Sequence, residues 1–276
     1  MKLDGKVAIV VGTSPNIGGA IALGFAGEGA RVVCVDRSEV YGQACARAIQ
    51  KAGGQAINVV ADATNEDQVA AAVAQTRETC GGVDILLNGV AAYVPKGVLK
   101  TTAEEFRLQM EVTLTGAFLF TKHVAQLMVD QGRKGNIINL ISTEGHQGFP
   151  GSIGYGTAKS GLLNFTRSAA MELSEYGIRV NSLTPTSTDP AEGRARAAEW
   201  GVAWDTTSGG PDRGPEFTVG DVGVPLRRRP SGRHYAKAAV FLASDDAEMI
   251  TGFDLRVDGG TMAKYWRWNP LPVTEP

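Results

Sequence analysis

The feature that most constrains the fold of this chain is a regular alternation of short apolar runs with longer stretches of helical pattern. The runs are continuously apolar instead of alternating with polar residues, which is typical of strands buried on both faces of a parallel sheet. Strands are predicted at 6–11, 31–36, 56–61, 83–88, 136–142, 178–183 and 253–257. Helices are predicted at 19–28, 38–52, 65–78, about 102–131, 152–176 and 233–243.

Repeated strand–helix units of this kind predict an α/β fold, in the form of a Rossmann-like, doubly wound parallel sheet of about seven strands with helices on both faces. At 276 residues, a single domain covering 1–276 is expected. The segment 186–232 breaks the pattern, because it is rich in Gly, Pro and charged residues. It follows the sixth strand, where ligands bind in open α/β sheets, and is therefore predicted to be a lobe that covers the substrate. A C-terminal tail follows at about 261–276.

Composition and local patterns exclude several other kinds of protein. A formal net charge of −2 gives no electrostatic basis for binding nucleic acid or an anionic membrane. The longest apolar runs, such as 7–11 and 85–87, are far too short to cross a membrane. Residues 1–5 lead into the first strand without space for a signal peptide, so a cytoplasmic protein is expected. The 3 cysteines show no metal-ligand spacing, and no metal site is predicted.

A glycine-rich turn between the first strand and the first helix gives the first chemical signal. Gly12 allows a tight turn, and Gly18 allows a pyrophosphate to approach the helix N-terminus closely. Asp36 ends the second strand, where its carboxylate can bind both ribose hydroxyls of adenosine and repel a 2′-phosphate. NAD is therefore predicted as the cofactor, and NADP is less favoured. Two alternatives stay open: Arg37 can pair with a 2′-phosphate, or Asp36 merely caps the next helix.

A tyrosine and a lysine four residues apart form the second signal. Tyr155 and Lys159 lie on a predicted helix, so their side chains share one face, one turn apart. A free phenol has a pKa of about 10, and a nearby ammonium together with the positive nicotinamide ring favours the phenolate, which lets a tyrosine act near neutral pH. Alone, such a pair is most often a solvated helix face, so its significance depends on the neighbouring motifs.

Together, these motifs resemble the short-chain dehydrogenase/reductase family over nearly the whole chain, from about 6 to 260. The turn 12–18 is similar to the Gly-x-x-x-Gly-Ile-Gly cofactor turn of the family, and Tyr155 and Lys159 match its Tyr-x-x-x-Lys pair. Ser142, 13 residues before the tyrosine, matches its catalytic serine. Segments 179–185, 225–226 and 257–260 match later landmarks. The resemblance implies that Ser142, Tyr155 and Lys159 are the catalytic group.

The resemblance also implies the residues that contact the cofactor. They are Gly12, Ser14, Asn16, Ile17, Gly18, Asp36, Arg37, Asp62, Ala63, Asn88, Tyr155, Lys159, Pro185 and Thr188. Asn16 departs from the family, since it replaces the middle glycine of the turn. Thr113 replaces a helix-kinking asparagine that completes a proton relay through water to the lysine, and it can still bind a water through a shorter side chain. Pro190 replaces a threonine that contacts the carboxamide, a role that Thr188 can take.

These motifs predict an NAD-dependent oxidoreductase that interconverts a secondary alcohol and a ketone, with Tyr155 as acid and base. A non-catalytic NAD-binding relative is the alternative, because Thr113 and the altered loops weaken the pattern. A dehalogenase on the same fold would need no nicotinamide and would have an arginine in place of Lys159. Divergent enoyl reductases also resemble this fold but have a longer Tyr–Lys spacing. Family members commonly pair through their two long helices, which implies a homotetramer or homodimer.

The aromatic residues give the main indication of the substrate. All 4 tryptophans lie outside the cofactor half, at Trp200, Trp204, Trp266 and Trp268. A bulky, apolar or aromatic alcohol or ketone is therefore expected, in contact with Phe149, Trp200 and Trp204. The alternative is that these rings only pack the lobe and a subunit interface. Glu144 and His146 are candidates for contacting a polar group of the substrate.

Overall fold

The computed structural model of the protein describes residues 1–204 and 224–264. Strands and helices alternate along it as the sequence predicts. The elements are β1 (Val7–Val11), α1 (Ile17–Gly27), β2 (Arg31–Asp36), α2 (Glu39–Lys51), β3 (Gln55–Val60), α3 (Glu66–Cys80), β4 (Ile85–Asn88), α4 (Ala103–Met110), α5 (Gly116–Asp130), β5 (Asn136–Leu140), α6 (Ile153–Leu173), β6 (Arg179–Pro185), α7 (Ala191–Trp200), α8 (Gly232–Ala243) and β7 (Asp254–Val257).

The strands form one 7-stranded parallel sheet in the order β3-β2-β1-β4-β5-β6-β7. The predicted single-domain, Rossmann-like fold is therefore confirmed. Strand β1 is an interior strand, and its Ile9 lies between Val33 of β2 and Leu86 of β4. The chain runs outward from β1 in one direction and then returns to continue from β4 in the other. This reversal leaves a crevice beyond the carboxyl ends of β1 and β4, where ligands bind in folds of this type.

Two apolar layers cover the sheet, one on each face. Because successive strand residues point to opposite faces, Ala8 and Val10 pack in one layer while Ile9 and Val11 pack in the other. Helices α1, α2 and α8 complete the first layer, and α3, α5 and the end of α6 complete the second. The burial of both faces explains why the strand sequences are continuously apolar.

The region predicted as one helix at 102–131 contains a widened turn. Helix α4 begins at a capping box of Thr102 and Glu105, and α4 and α5 are joined by a π-helical turn at Glu111–Thr115. The middle residue of that turn is Thr113, which is fully buried. Its Oγ1 accepts a hydrogen bond from the backbone N–H of Ala92 at 3.2 Å. The π turn thus aims the Thr113 hydroxyl at the loop after β4, which is a common use of such turns near functional sites.

The same helical region is long and apolar enough to resemble a membrane span. Within Ala103–Asp130, one 18-residue window has a mean hydropathy of 1.2, and 56% of that window is buried inside the protein. Phe120 and Val124 of α5, for example, are fully enclosed in the layer against the sheet. This burial is that of a core helix.

The largest difference from the sequence prediction lies at the start of the 186–232 lobe. A loop without regular periodicity is expected there, and this expectation is wrong for 191–200, which forms α7. The segment is rich in alanine, arginine and glutamate, all strong helix formers, so propensity indicates a helix even where apolar periodicity does not. Residues 205–223 of the lobe lie outside the described residues. The tail from 265 onward, with Trp266 and Trp268, also lies outside them.

Candidate active site

The glycine-rich turn between β1 and α1 has the shape of an anion cradle. Gly12 has a φ of +86°, a conformation that other residues rarely adopt. A Cβ on Gly18 would lie 1.8 Å from the Gly12 carbonyl oxygen. Glycine is therefore required at 18 because the turn folds closely on itself, in addition to the expected approach of a pyrophosphate.

The donors of this turn fit a nucleotide diphosphate. Asn16 at the start of α1 provides no side-chain cap, and the first turn contains no acidic residue. Among residues 1–204 and 224–264, no acceptor binds the backbone N–H groups of Asn16, Ile17 or Gly18. The backbone carbonyl of Ser14 accepts the Gly19 N–H at 3.0 Å, which holds the turn in shape. Free N–H groups at a helix N-terminus are the usual means of binding phosphate oxygens.

Asp36 lies at the end of β2, beside the turn. One carboxylate oxygen accepts the Thr13 N–H at 2.8 Å, and the other accepts the Ser38 N–H at 2.9 Å. Burial raises the pKa of Asp36, and these two N–H donors and the nearby Arg37 partly oppose that rise. The bond to Ser38 is the contact expected if Asp36 merely caps the next helix. Each oxygen nevertheless keeps a second lone pair, so capping does not prevent Asp36 from accepting ribose hydroxyls.

The other predicted adenosine contacts have mixed environments. The Asp62 carboxylate accepts the N–H and hydroxyl of Thr64 at 2.9 and 2.8 Å, and these bonds lower the pKa of Asp62. Ala63 is buried against Gly116. A Cβ added to Gly116 would lie 3.0 Å from the Cβ of Ala63. Arg37 is exposed, and its charge acts on both Asp36 and Asp62. The ribose site therefore has both a carboxylate and a guanidinium within electrostatic range.

Asn88 contributes mainly to the interior of the fold. Its side-chain amide donates to Asn139 Oδ1 at 2.8 Å and to Thr121 Oγ1 at 3.2 Å, which ties β4 to β5 and α5. Asn139 in turn donates to Thr166 of α6 at 3.0 Å. The amide NH₂ of Asn88, predicted to contact the cofactor, is thus occupied inside the sheet.

The loop after β6 is held by a buried tyrosine that sequence reasoning missed. Pro185 is buried at the end of β6 and pairs with Val257. The Thr188 hydroxyl donates to the Thr186 carbonyl at 3.0 Å, and Tyr235 Oη lies 3.2 Å from Thr188 Oγ1. Tyr235 Oη also donates to the Thr186 carbonyl at 3.3 Å. Tyr235 belongs to the regular apolar pattern of α8, so only its polar tip distinguishes it from a core residue.

Ser142 and Tyr155 meet in the crevice, as predicted. Ser142 follows β5 in an extended conformation and begins a 3₁₀ turn, and Tyr155 lies in the first turn of α6. Burial raises the pKa of Tyr155 strongly, the Ser142 hydroxyl hydrogen-bonds the phenol and opposes the rise, and the charge of Glu144 adds to it. The ring of Tyr93, another residue missed from sequence, packs edge-on against Tyr155 with 5.1 Å between centroids.

Lys159 is 2% exposed and lies one helical turn beyond Tyr155. Its Nζ is 5.8 Å from the centroid of the tyrosine ring and donates to the backbone carbonyl of Leu140. Burial lowers the pKa of Lys159 to about 7. Burial opposes the charged form of both residues, so the phenolate expected from the sequence stays a prediction that depends on the positive charge of the nicotinamide.

A glycine brings the serine turn and the lysine helix together. A Cβ on Gly145 would lie 3.0 Å from the backbone carbon and from Cβ of Lys159. Next in sequence, His146 places Nε2 3.1 Å from Thr184 Oγ1 and 3.2 Å from an oxygen of Asp254. His146, predicted as a substrate contact, thus anchors the turn to β6 and β7. Phe149 is 39% exposed beyond the turn.

Trp200 lies against the start of α1, and Trp204 lies against α7. A Cβ on Gly19 would lie 2.7 Å from the Trp200 ring, and one on Gly193 would lie 2.5 Å from the Trp204 ring. Arg196, which sequence reasoning missed, donates to the carbonyl of Pro15 at 2.7 Å. Within the described residues these contacts lie on the nucleotide side of the crevice, so contact of Trp200 and Trp204 with a substrate stays a prediction.

The chain is similar to known oxidoreductases over nearly its whole length. A family model described as enoyl-(acyl carrier protein) reductase matches residues 12–262. An uncharacterized oxidoreductase of Bacillus subtilis is 34% identical over 269 residues, covering 96% of this chain and 94% of the relative. Secoisolariciresinol dehydrogenase of Forsythia intermedia is 33% identical over 264 residues, covering 94% and 90%. The crystal structure of a gluconate 5-dehydrogenase from Burkholderia cenocepacia with NADP and tartrate has a TM-score of 0.83, at 27% identity and 96% and 98% coverage.

The sheet, the glycine turn and the Ser142–Tyr155–Lys159 group define an oxidoreductase of the class that uses a nicotinamide cofactor. The chain belongs to the short-chain dehydrogenase/reductase family, which the matched family model and relatives show over nearly its whole length.

Proposed function

We propose that this protein is an NAD-dependent dehydrogenase that interconverts a secondary alcohol and a ketone. The observation that supports this most directly is the buried Lys159, whose Nζ lies 5.8 Å from the centroid of the Tyr155 ring, with the Ser142 hydroxyl near enough to the phenol to lower its pKa. These three groups surround the place where the oxygen of a carbinol or carbonyl would bind. An intact catalytic group also argues against the alternative of a non-catalytic NAD-binding relative.

A bound nicotinamide would supply the hydride acceptor for oxidation and the hydride donor for reduction. Tyr155 exchanges the proton of the reacting oxygen, and Ser142 donates a hydrogen bond to the same oxygen, which stabilises its developing charge. Loss of one such donor typically costs about 3 kcal/mol of transition-state stabilisation. Lys159 would bind the nicotinamide ribose. Thr113 Oγ1, which accepts the Ala92 N–H, still has a proton to donate to a relay water.

The protonation state of Tyr155 favours one direction of the reaction. Because burial raises the pKa of Tyr155, the protein's own groups keep it as a neutral phenol, the form that donates a proton in ketone reduction. In alcohol oxidation the positive charge of the nicotinamide would have to offset that burial, because Lys159, with a pKa of about 7, is mostly neutral at alkaline pH. We therefore propose that ketone reduction proceeds readily at neutral pH, while oxidation is faster at alkaline pH.

NAD is the proposed cofactor because Asp36 is fixed beside the glycine turn by two backbone N–H groups. A carboxylate there accepts ribose hydroxyls and repels a 2′-phosphate. Arg37 supports NADP instead, and the similar gluconate 5-dehydrogenase was solved with NADP. Direct comparison of the two nucleotides decides between them.

Enoyl reduction is the second candidate function, since the matching family model has that description. A hydride then adds to a carbon–carbon double bond, and no carbinol oxygen needs a proton at Tyr155. The four-residue spacing of Tyr155 and Lys159 and the Ser142 contact with the phenol favour the alcohol–ketone reaction. Turnover of a 2-enoyl thioester without turnover of any ketone would reverse this preference.

We still propose a bulky, apolar or aromatic substrate, but its proposed aromatic contacts differ from those expected from the sequence. Trp200 packs on the start of α1 and Trp204 on α7, so Tyr93 beside Tyr155 and the exposed Phe149 are the aromatic contacts we propose. A lobe over the substrate, formed by 186–232, also stays a proposal, as its described helix α7 packs on the nucleotide side.

We also propose a cytoplasmic homotetramer or homodimer, paired through α4, α5 and α6. Leu108, Phe118 and Met171 on these helices are large apolar side chains that are exposed in the single chain. A Phe118→Asp variant that stays fully associated, measured by light scattering during size-exclusion chromatography, would contradict this mode of pairing.

The decisive experiment is a Tyr155→Phe variant of the whole chain. We expect NADH binding, followed by fluorescence titration, to be retained, while turnover at 340 nm falls at least about a hundredfold, the usual contribution of a general acid or base. Tyr176→Phe is the matched control, because Tyr176 is exposed at the end of α6 and should have no effect. Unchanged turnover of Tyr155→Phe would refute the assignment, and failure of the wild type to bind either nucleotide would refute the family-based chemistry.

A further inference from the structure

Glu144 is a carboxylate held between the catalytic serine and the catalytic helix. Its backbone N–H donates to Ser142 Oγ at 3.2 Å, so it belongs to the same 3₁₀ turn. The hydroxyl of Ser152, at the start of α6, donates to Glu144 Oε2. The backbone carbonyl oxygen of Glu144 would be 3.0 Å from a Cβ on Gly156, the residue after Tyr155. The turn and the helix therefore fix Glu144 from two sides.

The carboxylate also acts electrostatically on the reacting centre. Its negative charge is one of the causes that raise the pKa of Tyr155. The described residues provide no salt-bridge partner for it, and Oε2 is engaged only by the neutral hydroxyl of Ser152. Within the described residues Oε1 has no donor. A fixed carboxylate with an unused oxygen and no counter-cation is a ready acceptor for a ligand group.

From this placement we infer that Glu144 selects substrates in which a neutral or positively charged hydrogen-bond donor lies next to the reacting carbinol. Substrates with an anionic group at that position are disfavoured. This inference rests on the proposed alcohol–ketone function and names the substrate class of that same site. A vicinal hydroxyl or ammonium would donate to Oε1 while the carbinol oxygen lies between Ser142 and Tyr155. A vicinal carboxylate would meet like charge in a partly desolvated crevice.

A matched series of aromatic secondary alcohols tests this inference. In 1-phenylethanol, 1-phenyl-1,2-ethanediol, 2-amino-1-phenylethanol and mandelate, the carbinol and phenyl ring are constant while the neighbouring group is methyl, hydroxymethyl, aminomethyl or carboxylate. For the wild type, we expect kcat/KM for the amino alcohol to exceed that for 1-phenylethanol about tenfold, as charge-assisted hydrogen bonds typically allow. The diol should lie between these two alcohols, and mandelate should lie below both.

The variant Glu144→Gln keeps the size of the side chain and removes its charge. We expect the amino-alcohol to phenylethanol ratio of kcat/KM to fall about tenfold and the mandelate to phenylethanol ratio to rise. Ratios are the readout, because any effect of Glu144 on Tyr155 changes all four substrates alike. Glu104→Gln on the exposed first turn of α4 is the control, and it should leave every ratio unchanged.

The outcomes separate this inference from the proposed function. Turnover with unchanged ratios in Glu144→Gln, or a wild type that prefers mandelate, would overturn the role of Glu144 and leave the dehydrogenase assignment intact. Turnover of none of these alcohols and none of the corresponding ketones, with NAD or NADP, would count against the dehydrogenase assignment itself and would remove the basis of the inference.

Discussion

Replacement of Lys159 by methionine is expected to stabilise the folded protein while it abolishes catalysis. The side chain is 2% exposed, and burial lowers the pKa of Lys159 from 10.5 to about 7. Each pKa unit corresponds to about 1.4 kcal/mol, so the charged lysine destabilises the fold by about 5 kcal/mol below pH 7, where it is protonated in both states. Methionine has a similar length and no charge to bury.

The pH dependence of this effect follows from linkage. Between pH 7 and 10.5 the unfolded chain binds the proton more tightly than the folded chain, so wild-type stability rises with pH. The penalty is about 5 kcal/mol at pH 6 and about 2 kcal/mol at pH 9. The variant lacks this group, so its advantage over the wild type should shrink by about 3 kcal/mol between these pH values. Loss of the bond to the Leu140 carbonyl reduces the advantage, but mainly by a constant amount.

Urea unfolding of both proteins at pH 6 and pH 9 measures this difference. Lys237→Met, at an exposed position of α8, is the control, and its stability relative to the wild type should change little with pH. A gap between Lys159→Met and wild type that is the same at both pH values would refute the argument that a buried charge is destabilising here. A confirmed gap would mean that the fold tolerates a large local destabilisation at the residue that serves the reaction.

Three further predictions follow from particular contacts. Gly18→Ala should abolish NADH binding in a fluorescence titration, because its Cβ would lie 1.8 Å from a backbone carbonyl, whereas Gly27→Ala, with open space around it, should bind normally. Asp36→Asn keeps one of the two acceptor oxygens and removes the charge, so the NAD to NADP ratio of kcat/KM should fall about tenfold; an unchanged ratio would exclude charge as the basis of selectivity. Thr113→Val should lower the free energy of unfolding by about 1 to 3 kcal/mol, because the Ala92 N–H loses its acceptor, while Thr113→Ser should not; equal stability of the two variants in urea would contradict this.

Much of the catalytic group could be predicted because its signals are local or follow from strand order. Tyr155 and Lys159 share a helix face by spacing alone, and Ser142 follows a strand that any doubly wound sheet places nearby. Tyr93 and Arg196 escaped notice because nothing near them in sequence distinguishes them. Their contacts, with Tyr155 and with the Pro15 carbonyl, join segments that are remote in the chain.

Apolar periodicity and motif spacing act over short distances along the chain, so the sequence was enough to predict the parallel sheet, the order of its elements and the candidate catalytic side chains. The tertiary structure alone decided the environments of those side chains. The packing of Gly145 on Lys159, of α7 on the glycine turn and of Glu144 against the start of α6 depends on surfaces brought together by folding. Desolvation and charge at the crevice arise from that packing, so the lowered pKa of Lys159 and the raised pKa of Tyr155 could not be derived from the order of residues.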